Sequence, residues 1–176
     1  MIADLSEIRQ TENKGLGLFA KQFIPKGTLI CFYCEKCKNI SENTYDSLSQ
    51  EEKEYILEYV HAFEDGHVHI DCDEAKHMNH SCNSSILPLD KGKGIDIVVR
   101  NIENGEEATY DYRVFSNKKY NFHYFNIDCL CGEDNCCGII KNEYPIPKSL
   151  LAYWDKKIEE TLKYIEKVKQ PLYIKL

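Results

Sequence analysis

Three cysteines crowd one short stretch, Cys129-x-Cys131-x4-Cys136, with Cys137 beside them. The intervening residues Glu133, Asp134 and Asn135 are polar, so this loop has little apolar core in which free thiols could be buried. A tetrahedral zinc centre accounts for the pattern better, and it needs a fourth ligand from elsewhere in the chain. Cys137 can replace one of the three. The remaining cysteines, Cys31, Cys34, Cys37, Cys72 and Cys82, bring the total to nine. Cys31, Cys34 and Cys37 also invite a metal reading, although Cys31 sits in an alternating strand where a small buried hydrophobe is the simpler role.

Metal ligation presupposes a reducing compartment. The first ten residues carry Asp4, Glu7 and Arg9 where a signal peptide needs an apolar stretch. No apolar run approaches the ~18 residues of a membrane span. The expectation is an intracellular protein, nuclear or cytoplasmic, without a secretion signal. At 176 residues, 43% hydrophobic and 29% charged, the chain reads as one folded domain with a small appendage, and disorder is excluded. A formal net charge of −7 disfavours direct nucleic-acid binding and suits a basic partner. Oligomeric state is not legible.

Residues 12–35 read as short strands divided by Gly15, Gly17 and Pro25-Lys26-Gly27. Ser49 to Val60 predicts a helix, with Ser49 and Glu52 as a capping box and Tyr55, Ile56, Tyr59 and Val60 as its stripe. Residues 67–72 form a further short strand. Ile86 to Leu89 and Ile95 to Ile102 flank a turn at Asp90 to Gly94, a hairpin pattern. Asn104-Gly105 turns into a strand over Thr109 to Tyr112. Leu151, Trp154, Ile158, Leu162 and Ile165 mark a C-terminal helix stopped by Pro171, its stripe packed on a core.

Gly15-Leu16-Gly17-Leu18-Phe19-Ala20 matches a dinucleotide fingerprint with Glu35 at a plausible distance, but the polar Glu12-Asn13-Lys14 stand where a buried strand is needed and Pro25 would break the helix after it. Two glycines in a short strand instead suit close approach of a ligand to the backbone. His80 and Cys82 are too near in sequence for a protease dyad. No His-Glu-x-x-His site or phosphate loop occurs.

In order along the chain, these pieces resemble the SET domain of protein lysine methyltransferases with its post-SET zinc segment. The resemblance rests on Lys14-Gly15-Leu16-Gly17-Leu18-Phe19-Ala20, on Ile24 to Ile30 before an active-site tyrosine at Tyr33, and on Ala75 to Cys82 against ARFINHSC. It continues with Gly105-Glu106-Glu107 and Thr109-Tyr110-Asp111-Tyr112 against GEELTYDY, and with Cys129 to Gly138 against CxCGxxxCxG. It covers about residues 8–141. The Tyr-Asp-Tyr form is that of the trithorax-like branch. The resemblance implies a mainly β fold of short sheets around a pseudoknot, a post-SET zinc segment and a C-terminal α-helix. The domains would be a SET domain at 1–127 with a helical insert at about 41–62, a post-SET segment at 128–142 and a helical extension at 143–176. That last helix is expected to pack beside the post-SET segment.

The resemblance also implies roles. S-adenosylmethionine would be the cofactor, contacted by Lys14, Leu16, Gly17, Tyr59, Lys76, Asn79 and His80. Tyr112, Tyr33 and Tyr110 would be catalytic, with Tyr112 orienting the reacting centre, Tyr33 bonding the amine and Tyr110 limiting the product to mono- or dimethyl-lysine. Cys82 would complete one structural zinc with Cys129, Cys131 and Cys136. A substrate lysine, with an ordinary pKa near 10.4, is neutral in only about one part in a thousand at pH 7.4, a deficit of roughly 4 kcal/mol. A dry, tyrosine-lined channel facing a sulfonium would lower that pKa without a strong base. The implied partner is a basic lysine-containing protein tail, foremost a histone. The alternatives are a catalytically weak SET module that binds peptides, or a methyltransferase of a non-histone protein. Departures from the family pattern are Lys76 for arginine, His77 for an aromatic, Cys34 for the glycine after Tyr33, Asn83-Ser84-Ser85 for x-Pro-Asn, and Cys137 for an arginine or similar residue.

Overall fold

Turn-forming residues recur so often that no strand among the described residues exceeds five residues. The computed structural model describes residues 4–32, 37–57, 59–62, 68–89, 94–120 and 125–171. Tyr33, Cys34, Glu35 and the Asp90 to Lys93 turn lie outside the described residues. The first strands are β1 (Ser6–Gln10), β2 (Leu16–Ala20), β3 (Leu29–Phe32) and β4 (Lys38–Ile40). Helices α1 (Glu42–Ser47) and α2 (Gln50–Leu57) follow. Then come β5 (Val60–Ala62), β6 (Val68–Ile70), β7 (Asn79–His80), β8 (Ile86–Pro88), β9 (Ile95–Val98) and β10 (Glu107–Tyr110). The chain continues with β11 (Ile127–Asp128), β12 (Ile139–Ile140) and α3 (Lys148–Leu162).

The main sheet runs β1-β2-β10-β8-β9-β3, with β7 lying parallel to β10. Its registers pair Thr109 with Asn79 and Tyr110 with His80, so two distant motifs lie side by side. The expected hairpin is the antiparallel β8–β9 pair. A separate three-stranded sheet, β4-β6-β5, carries the insert with α1 and α2. The Ser49 capping box is present: Ser49 N donates to Glu52 Oε2 at 2.9 Å and Glu52 N donates to Ser49 Oγ at 3.2 Å. The helix it opens ends at Leu57, however, and Val60 begins a strand, because pairing of Val60 with Ile70 wins over helical continuation. The expected strand at Thr109 to Tyr112 likewise stops at Tyr110. Asp111 accepts from Arg113 N at 3.1 Å and caps a single 3₁₀ turn, Tyr112–Phe115.

Three apolar clusters hold these parts together. Leu18, Ile24, Ile30, Met78, Ile86, Val98, Ile102 and Tyr110 fill the centre of the sheet. A second cluster joins Tyr45 of the insert to Val68, Tyr120, Phe125 and Ile140, with Tyr112, Cys129 and Cys137 against it. The third seats α3: Trp154 is 5% exposed and packs on Leu29, Leu87, Ile97 and Val99. The stripe is thus core packing as expected, except that Leu162 is 46% exposed and α3 ends there, well before Pro171. The helix packs on the main sheet; its link towards the cysteine loop runs through Asn83, which accepts from Lys157 Nζ at 2.7 Å and donates to Glu133 at 3.2 Å. Gly27, at φ +95, lies where a Cβ would fall 2.7 Å from Tyr164, so glycine permits the segment after α3 to close against this turn.

Trp154 Nε1 also donates to Asp111 Oδ2 at 3.0 Å inside the protein. Trp154→Ala is expected to cost about 3–5 kcal/mol through lost packing. Trp154→Phe should cost about 1–3 kcal/mol, mainly through the missing donor to Asp111. Urea unfolding of the two variants checks both values.

Candidate active site and cysteine centre

Asn79 and Glu107 organise the place where β2, β7 and β10 meet. Both amide hydrogens of Asn79 are engaged, one on Leu16 O at 3.0 Å and one on Glu107 Oε1 at 2.7 Å. Lys14 Nζ forms an ion pair with Glu107 Oε2, so one carboxylate orients both side chains. Gly17 leaves room for this pair: a Cβ would fall 2.6 Å from Glu107 Oε1 and 3.0 Å from Asn79 Nδ2, and those side chains would have to shift. The close approach inferred for the glycine pair is therefore made, at Gly17, by the protein's own side chains. Lys14, Leu16, Gly17 and Asn79 come together in this way. Lys76, Tyr59 and His77 form a neighbouring group. Lys76 Nζ stands over the Tyr59 ring, 5.4 Å from its centroid, and the His77 ring meets Tyr59 edge-on at 5.6 Å.

His80 lies at the join between the tyrosine motif and the cysteines. Tyr112 N donates to its Nδ1 at 3.1 Å, which fixes the neutral ring with its hydrogen on Nε2. That Nε2 faces Cys82 Sγ at 3.4 Å. Burial lowers the pKa of His80 to about 4, against the opposing pull of Asp111. The Tyr112 hydroxyl donates to Met78 O at 2.9 Å, and burial raises its pKa above the ordinary tyrosine value. Tyr112 is thus held at both its backbone and its hydroxyl. Tyr33 lies outside the described residues.

Tyr110 is placed differently. Its hydroxyl donates to Asp96 Oδ1 at 2.9 Å, and its ring stacks on Phe115 with centroids 5.3 Å apart. Burial raises the pKa of Asp96 to about 7. Asp96, Glu107 and the Asp111 carboxylate were not singled out from sequence. The signal for Glu107 was its place in β10, one strand over from the glycine pair; a lone aspartate in an apolar strand, as at Asp96, could also have been flagged.

The four sulfurs of Cys82, Cys129, Cys131 and Cys136 lie within 4.8 Å of one another. Cys82 and Cys129 are 3.8 Å apart, which matches the ~3.8 Å edge of a tetrahedron built on Zn–S bonds of about 2.3 Å. Backbone N–H groups of Cys137 and Gly138 donate to Cys82 Sγ and Cys136 Sγ at 3.3 and 3.4 Å, an arrangement that favours thiolates. A second grouping of His80, Cys82, Cys129 and Cys137 is equally close. It fits a metal less well, because the His80 nitrogen nearest Cys82 carries a hydrogen. Burial pushes the Cys82 thiol up to about 12, and a divalent cation reverses that preference.

The SET domain family profile matches residues 15–113. The chain belongs to the SET-domain family. Its mainly β architecture, with small sheets and one longer C-terminal helix, is the SET fold. It is 32% identical over 146 residues to a protein named histone-lysine N-methyltransferase, H3 lysine-36 specific, of Mycosarcoma maydis, covering 76% of this chain and 14% of that one. It is 32% identical over 142 residues to histone-lysine N-methyltransferase set-2 of Caenorhabditis elegans, covering 72% of this chain and 8% of the relative. The variant-silencing SET domain-containing protein of Plasmodium falciparum (isolate 3D7) is 31% identical over 149 residues, 74% of this chain and 5% of that protein. The chain therefore spans a small part of each of these relatives. No helix among the described residues of this SET-domain chain is long and apolar enough to cross a membrane.

The raised pKa of Asp96 carries a sign. With a folded pKa near 7 and an unfolded value of about 3.9, the native state holds the proton more tightly, so stability is lost as pH rises from about 4 to about 7. Asp96→Asn should remove that loss, gaining on the order of 2–4 kcal/mol over the parent between pH 5 and pH 8. Chemical denaturation at the two pH values measures it.

Proposed function

We propose that this SET domain transfers a methyl group from S-adenosylmethionine to a lysine side chain of a protein, and that the protein is a histone presenting a basic tail. The observation that carries this reading is the double anchoring of Tyr112, through Met78 O and His80, beside the Asn79–Glu107–Lys14 network. The histone assignment is supported by the names of the relatives and by the net charge of −7.

S-adenosylmethionine, when bound, supplies an electrophilic methyl group on a sulfonium. The Lys76 ammonium offers a charge for its carboxylate, and Tyr59 an apolar wall. Asn79, with its amide hydrogens on Leu16 and Glu107, presents its carbonyl oxygen as an acceptor for an ammonium. The backbones at Lys14, Leu16, Gly17 and His80 complete the cradle. Since the Tyr112 hydrogen is committed to Met78, its oxygen acts as an acceptor towards the reacting groups and orients them. Tyr33 bonds the substrate amine, and solvent takes its proton. The Tyr110 hydroxyl, bound to Asp96, occupies room that a further methyl group would need, favouring mono- or dimethyl-lysine. One zinc, held by Cys82, Cys129, Cys131 and Cys136, ties the 128–142 segment to the tyrosine motif through the Cys82–His80–Tyr112 chain of contacts.

Labelled methyl transfer from S-adenosylmethionine into core histones and a cell lysate tests the reading. Tyr112→Phe is expected to reduce transfer by on the order of 100-fold while cofactor binding persists. Label that does not depend on Tyr112, or a parent protein that binds no S-adenosylmethionine, counts against it. Cofactor binding without transfer by the parent would mark a peptide-binding module. In the same assay, Tyr110→Phe should shift the product towards higher methylation, read by mass spectrometry of the modified lysine.

A further inference from the structure

The insert sheet carries a second constellation of metal-binding side chains, remote from the four-cysteine group in sequence. In the antiparallel pair β4–β6, Asn39 faces His69 and Lys38 faces Ile70. Extending that register by one residue sets Cys37 opposite Asp71. Side chains alternate along a strand, so Cys37, Asn39, His69 and Asp71 all project from one face of the sheet. Cys37 and His69 are buried, at 6% and 4% exposure, and the Asp71 side chain is 18% exposed. One donor atom from each of Cys37, His69 and Asp71 lies within 4.8 Å of the other two.

The hydrogen bonding of His69 points to a cation. Its Nδ1 lies 2.7 Å from Asn39 Oδ1, and an oxygen in that place puts the ring hydrogen on Nδ1. In the neutral ring Nε2 then carries a lone pair, yet it sits 3.3 Å from the carboxylate oxygen of Asp71. With the hydrogen on Nδ1, Nε2 is free to bind a metal ion beside that carboxylate; with the Asn39 amide turned over, the hydrogen lies on Nε2 and is donated to Asp71 instead. A metal has the better geometry. With Zn–N near 2.05 Å and Zn–O near 2.1 Å, the N···O edge of a tetrahedron is about 3.4 Å. A buried thiol in the same cluster supplies the third ligand. The Asn39 bond to Nδ1 is the outer contact that usually fixes the orientation of a ligating imidazole. Thiolate and imidazole together select a transition ion of the zinc type over magnesium or calcium. Thiolate and carboxylate would neutralise a divalent charge, which suits the burial of the site.

We propose that Cys37, His69 and Asp71 bind a zinc-type divalent ion, leaving one coordination position to solvent or a further donor. Such an ion clamps the start of β4 to the end of β6.

Native mass spectrometry of the full chain purified with zinc tests this. Cys37→Ser and His69→Gln are each expected to carry one zinc fewer per chain than the parent, with the circular dichroism of the parent retained. The same zinc count in the parent and both variants overturns the proposal and leaves His69 paired with Asp71 alone. If the variants fail to fold, thiol alkylation of the parent decides. A mild zinc chelator should make Cys37 reactive before Cys31, which is buried, bonded to Asp96 and outside the ligand set. Reactivity of Cys37 that is indifferent to the chelator, or that arises no earlier than that of Cys31, overturns it.

Discussion

The buried carboxylate of Asp111 is the point on which the other elements are hung. It accepts from Arg113 Nε and Nη2 at 2.9 and 2.7 Å and from Trp154 Nε1 at 3.0 Å. It also caps the 3₁₀ turn that begins with Tyr112. One side chain therefore joins the end of β10, the C-terminal helix and the residue proposed as the catalytic tyrosine. An ion pair at this depth gives little net stability by itself, since desolvation offsets much of the attraction. Its effect is to make the alternatives costly: removing either partner leaves a buried charge unpaired, at about 3–5 kcal/mol. The position of Tyr112 is thus set by electrostatics as well as by packing.

His80 performs a complementary task on the other side of Tyr112. A neutral ring that accepts from a backbone N–H and directs its remaining N–H at a cysteine sulfur transmits position from the cysteine group to the tyrosine motif. The second apolar cluster does the same by packing, since Tyr112, Cys129 and Cys137 share it with Tyr45 of the insert and Ile140 of β12. The cysteine segment and the insert can therefore be regarded as two braces on one short turn.

Much of this was legible because the local signals are chemical. The Ser49 capping box, the β8–β9 hairpin and the apolar stripe of α3 each follow from residue types at fixed spacing, and each formed. What was hidden depends on pairing across the chain. Val60 looks like the last apolar residue of a helix, and only its partner Ile70 makes it a strand. Tyr112 reads as strand material until Asp111 turns the backbone. Cys82 stood out as the fourth ligand only through resemblance, whereas the structure brings its sulfur to 3.8 Å from that of Cys129. Cys37, His69 and Asp71 carry no recognisable spacing at all, because a sheet register and not a motif unites them.

The departures from the family pattern after Cys82 are explained by what those residues touch. Asn83 accepts from Lys157 of α3 through its side chain and from Arg100 through its backbone carbonyl at 3.4 Å, and it donates to Glu133 beside the cysteines. Ser85 N donates to Thr109 Oγ1 at 3.3 Å, and Thr109 N donates to Ser85 Oγ at 2.9 Å. Ser84, which stands in place of the family's proline, is buried between these two residues at 3% exposure. Polar residues make this segment a crossing point between β10, the C-terminal helix and the cysteine loop. The chain has replaced a rigid turn by a hydrogen-bonded one, and the partner that uses it is α3, the element outside the family resemblance.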